Sequence, residues 1–90
     1  MLYMIIERFR GGDAAPVYRR LHEEGRLMPA GVEYVASWVR SDMSCCYQVV
    51  ECEERGQLDQ WLSRWSDLVE FEVVPVITSE AASAAIAPEL

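Results

Sequence analysis

The chain contains no lysine, a single histidine and three cysteines without CxxC spacing. Each shortage removes a class of function. Its eight basic residues, all arginine, face fifteen acidic ones and leave a net charge of −7, a balance that repels phosphate backbones, so nucleic acid is not an expected partner. The exclusive use of arginine fits a GC-rich bacterial genome better than a demand for bidentate anion binding. His22 with Cys45, Cys46 and Cys52 builds neither a zinc cage nor a disulfide framework. The sequence therefore calls for no metal and no cofactor, and reduced thiols point to the cytoplasm. No apolar run approaches the ~20 residues of a membrane-spanning helix, so no membrane is expected as a partner. The apolar start of the chain, residues 1–6, is followed at once by Glu7, Arg8 and Arg10, where a signal peptide would stay apolar. It reads as the first strand of an unprocessed cytoplasmic protein.

What is present is a core. Hydrophobic residues make up 51% of the 90 positions, enough for one small domain that buries roughly 60–65% of its unfolded surface. The β-compatible residues 2–10 end at Gly11-Gly12, a turn signal. Asp13 is placed to cap a helix with Pro16 in its first turn, Ala14, Val17, Tyr18 and Leu21 on its inward stripe, and Gly25 as its C-terminal cap. This predicts a helix over 13–25. Alternation over 32–41 sets Val32, Tyr34, Ala36 and Trp38 against Glu33, Val35, Ser37 and Val39, as in a strand. A polar turn at 41–44 joins it antiparallel to a second β-rich run over 45–51. Leu58, Trp61, Leu62 and Trp65 recur at helical spacing and predict a helix over 54–66. The last strand spans 69–78, and residues 79–90 form an alanine-rich tail with the makings of a short helix. The domain is thus assigned to residues 1–78.

The order is βαββαβ. It is an α+β, ferredoxin-like arrangement that implies a four-stranded antiparallel sheet in the order 4-1-3-2 with two helices on one face. The other face is then bare, yet the first and last strands are apolar on both sides: Leu2, Met4 and Ile6 oppose Tyr3, Ile5 and Phe9, while Val69, Phe71 and Val73 oppose Val74 and Val76. Leaving such side chains in water forfeits several kcal/mol at about 25 cal/mol per Å2, comparable to the stability of the whole domain. A homodimer packed sheet to sheet is the simplest remedy. Pro75, which lacks an N–H, suits the edge position of the last strand.

Several segments resemble a known family: the N-terminal MLYMIIERF; Leu27-Met28-Pro29-Ala30-Gly31-Val32-Glu33-Tyr34 leading to Ser37-Trp38; Cys46-Tyr47-Gln48-Val49-Val50-Glu51; and the ending from Trp61 and Trp65 through Asp67-Leu68 and Phe71-Glu72 to Pro75-Val76. Over roughly residues 1–79 they resemble the domain of unknown function 3303 family, itself similar to the dimeric α/β-barrel superfamily. The resemblance implies that fold and a dimer. It implies no catalytic residues, because the family has no agreed activity, and the superfamily includes quinone-forming monooxygenases, lactone isomerases, haem enzymes and plain ligand-binding modules.

Glu7 interrupts an apolar strand that the topology places centrally, where a carboxylate gains a raised pKa and suits a general base. Glu70 and Glu72, on the neighbouring strand, are the carboxylates expected to approach it, so Glu7 and Glu72 are the candidate catalytic pair. The plainer alternative gives Glu7 an arginine partner, Arg8, Arg10 or one from a second chain. Tyr34, Trp38, Trp61 and Trp65, with Ser37 and Gln48 for orientation, are the candidate ligand-binding residues, suited to a flat aromatic or organic molecule; filling the core is the plainer role. Two functions are open on this reading: a homodimeric small-molecule binding protein or cofactor-free enzyme, and a non-enzymatic dimeric module for assembly or regulation.

Overall fold

The computed structural model describes residues 1–90. Four strands, β1 (Leu2–Phe9), β2 (Val32–Val39), β3 (Cys45–Cys52) and β4 (Val69–Val76), and three helices, α1 (Ala15–Glu24), α2 (Arg55–Ser63) and α3 (Ser79–Ile86), follow one another as β1-α1-β2-β3-α2-β4-α3. The strands form one antiparallel sheet ordered β2-β3-β1-β4. Numbered from the β4 edge, the same neighbours read 4-1-3-2. The expected count of two helices is corrected to three: Thr78 Oγ1 accepts the Ala81 N–H at 3.0 Å, which caps the alanine-rich segment and turns it into α3. No residue of α3 is buried.

Local chemistry explains the other boundaries. Asp13 does not occupy the N-cap of α1, which is Ala14, but its Oδ1 accepts the Ala15 N–H at 3.0 Å. Gly25, at a φ of 73°, closes α1 by donating to the Leu21 carbonyl at 2.9 Å. A side chain there would be strained. Beyond it Leu27 also takes a positive φ, 59°, so the chain reverses sharply around Arg26. The β2–β3 turn is held by Asp42, whose Oδ1 accepts from the Ser44 N–H and hydroxyl at 3.0 and 2.6 Å.

One face of the sheet carries the core. Tyr3 and Ile5 of β1, Val32 of β2, and Val50 and Cys52 of β3 are buried against Leu58 and Trp61 of α2 and against Trp65, with Val17 and Leu21 of α1 packed at the margin. Both α1 and α2 therefore lie on this face. On the opposite face Met4, Ile6, Tyr47 and Val49 are only half-buried, and Trp38 and Val74 are exposed.

β2 departs from simple alternation. Tyr34 pairs with Val50 and Ala36 with Val49, so Val35 is an extra residue on the strand. Such a bulge shifts the period by one and exchanges the faces of the residues beyond it. Val32 and Tyr34 point toward the helices, but past the bulge Ser37 and Val39 do so, while Ala36 and Trp38 turn to the open face.

Candidate functional site

Between the helices and the Glu7 end of the sheet the packing is incomplete. α1 buries none of its residues; its apolar stripe roofs a cavity of about 220 Å3 with Val17, Tyr18 and Leu21. Glu7 and Phe9 from β1, Cys46 and Gln48 from β3 and Ser37 and Val39 from β2 form the floor, and Trp61, Trp65 and Arg26 close one end. The volume exceeds the roughly 150 Å3 that admits benzene and is smaller than the ~300 Å3 usual for drug-sized sites, so a one-ring molecule is the fitting size.

The polar groups are fixed by few but definite contacts. Trp61 and Trp65, four residues apart, both donate their indole N–H to the Arg26 carbonyl, each at 2.9 Å. They thereby anchor the irregular turn that follows Gly25. Arg64 adds a bond to the Leu27 carbonyl at 2.7 Å. The Arg26 side chain lies with Cζ 3.9 Å from the centre of the Tyr34 ring, and its Nη1 donates to Gln48 Oε1 at 2.6 Å. Gln48 is the one buried polar side chain of the sheet, and Arg26 is its use. Tyr34 completes the edge with a 2.8 Å hydrogen bond between its hydroxyl and Ser37 Oγ.

Glu7 lies on the same floor, directly across from Cys46. Burial pushes its carboxyl above the ordinary range, against the opposing pull of a Cys46 hydrogen bond and of the Arg26 charge. The Cys46 thiol is pushed up to about 12, first by burial and then by the Glu7 charge, which leaves it protonated and unreactive at neutral pH. The Tyr18 hydroxyl is raised too, by burial and by Cys46 and Glu7. The floor therefore sets a carboxyl whose ionisation is opposed by burial in one apolar chamber with a permanent guanidinium.

The candidate residues separate accordingly. Glu7, Ser37, Gln48, Trp61 and Trp65 line the cavity, and Tyr34 supports Arg26 at its rim. Trp38 does not belong with them: it pairs with Tyr47 on the open face and is 59% exposed, the consequence of the Val35 bulge. The Glu7–Glu72 pairing is also corrected. Phe71, not Glu70 or Glu72, lies across from Glu7; the two glutamates project from the opposite face to Arg10 and Arg8, each at 3.2 Å. Arg8 and Arg10 are consequently not the partners of Glu7 either. His22 is exposed on α1, and Cys45 is buried while Cys46 enters the site. Arg26 was not among the residues singled out from the sequence, because its position depends on the two left-handed residues flanking it and on indoles 35 and 39 residues away.

The family model of the domain of unknown function 3303 matches residues 1–90. The chain belongs to this family. The match extends across α3 as well as the sheet and the cavity. No curated protein and no solved structure gives a significant match to the chain. The DUF3303 cavity must accordingly be read from its own residues, and no helix of the protein is long and apolar enough to cross a membrane.

Proposed function

We propose that this DUF3303 protein binds a small aromatic or organic ligand in the cleft between sheet and helices, as a homodimer closed through its open sheet face. The observation that carries the reading is the cavity of about 220 Å3 in which Glu7 and Arg26 share one chamber with two tryptophans. A structural filler would need neither a carboxyl nor a guanidinium there, since burying either costs free energy that apolar packing avoids. Thermal-shift and saturation-transfer NMR screening against aromatic acids, quinones and lactones tests it. Stabilisation by members of one such class is the expected result, and the absence of any binder contradicts it.

The dimer has a separate support. Four strands of eight residues span a face of about 26 by 19 Å, or roughly 500 Å2, at ~3.3 Å per residue and ~4.8 Å per strand. Two such faces bury roughly 1,000 Å2 together, the lower bound for a specific interface. A ferredoxin-like fold paired in this way gives a dimeric α/β barrel, and three free cysteines fit a reducing cytoplasm. The same open face favours the second reading, a dimeric module for assembly or regulation without chemistry of its own.

A further inference from the structure

We infer that the cavity takes an organic acid of one-ring size, with the carboxylate held by Arg26 and the apolar body set among Phe9, Trp61 and Trp65; this rests on the cleft being a ligand site. The charges of the molecule lead to it. Arg8, Arg10, Arg20, Arg40 and Arg55 each have a carboxylate within ion-pair distance, and Arg64 serves the Leu27 carbonyl. Arg19 stands exposed on α1. Arg26 alone is half-buried inside a cavity and forms no salt bridge, in a chain whose acids outnumber its bases by seven.

Arg26 is also prepared for an anion. Its carbonyl is fixed by two indoles, its planar face rests on Tyr34, and a single donor is used on Gln48. A guanidinium has five N–H donors in a fork that matches a carboxylate, so most of its capacity is uncommitted. Glu7 is in the same chamber without a salt bridge to it. When protonated, Glu7 adds no repulsion and can donate its O–H to the incoming carboxylate, and its burial widens the pH range over which it holds that proton. The groups facing Glu7 are Cys46 on β3, Tyr18 on α1 and Arg26 on the turn; β4 offers Phe71, α2 and the turn after it offer uncharged indoles, and β2 offers Ser37. None supplies a second cation. Acid binding should therefore weaken as Glu7 ionises, since one guanidinium would then serve two carboxylates.

Calorimetric titration of the full chain with benzoate and phenylacetate, against benzamide and phenylacetamide, tests the inference. The acids are expected to bind at least tenfold more tightly than the amides at pH 6. Arg26→Gln is expected to remove that preference, Arg26→Lys to retain part of it, and Glu7→Gln to abolish the decline in acid affinity as the pH rises above the ordinary carboxylate range. The Trp61 and Trp65 indole N–H resonances report whether each variant keeps its fold, because their acceptor is a backbone carbonyl. Equal affinity for acids and amides overturns the acid assignment while leaving the cleft a ligand site. A preference that survives in Arg26→Gln overturns the role of Arg26. If none of the four probes binds at millimolar concentration, the acid assignment falls, while the cleft itself stands or falls on the screen that includes quinones and lactones.

Discussion

Glu7 is the residue whose cost the fold does not offset. Its carboxyl is raised first by burial, and neither Cys46 nor Arg26 reverses this. Below about pH 4.3 the folded and unfolded chains both hold the proton. As pH rises toward the higher folded value, the unfolded chain releases its proton first, so stability contributed by the neutral form is lost. Glu7→Gln lacks this penalty. Urea denaturation should find the variant more stable than the parent at pH 7–8, with the difference closing toward pH 4; a parent that is the more stable at pH 8 would contradict the assignment. Glu7 was legible in the sequence because a lone acid in an apolar strand is conspicuous. Arg26 was not, since a basic residue beside a glycine cap looks like ordinary helix-end chemistry, and only the fold brings it to Gln48.

At the level of elements, the helical stripes and strand runs were legible because their periods are dictated by which face meets the core. The exceptions have definite causes. One extra residue, Val35, reversed the faces of the second half of β2, so Trp38 moved out of the site and Val39 moved in. The stripe of α1 read as core; Val17 and Leu21 do pack at the core margin, and with Tyr18 they also roof the cavity. The β2–β3 turn places Met43 at a φ of 64° with its side chain 48% exposed, so the residue bears left-handed strain without compensating burial. Removing that strain is worth about 1 kcal/mol where a side chain is dispensable. Met43→Gly, or Met43→Asn, should therefore raise the thermal midpoint by a few degrees, as calorimetry would show, with no effect on ligand binding. Gly31 is the opposite case: at a φ of 90° a Cβ would also overlap the Gln57 amide, so Gly31→Ala should destabilise the domain.

The whole molecule has two unlike sheet faces. The helix-covered face holds the core and the cavity; the open one sets Trp38 against Tyr47 beside Met4, Ile6 and Val49. Apolar excess on both faces of β1 and β4 was visible from the alternation, although no spacing could say that the cavity would form under α1. Light scattering should give about twice the chain mass of 10.3 kDa at micromolar concentration. Trp38→Glu, which places a charge on the open face, should shift this to the monomer mass. If the parent is itself a folded monomer on dilution, the open face is not an interface between copies.

A working site beneath α1, beside Arg26, is distinguishable from one on the open face by the protein's three tryptophans. The indoles of Trp61 and Trp65 close the cavity, and Trp38 lies on the far side of the sheet. In a 1H–15N spectrum titrated with a ligand from the screen, the Trp61 and Trp65 indole signals should move together while that of Trp38 stays in place. A shift confined to Trp38, with Trp61 and Trp65 unmoved at saturation, would contradict the placement of the site beneath α1.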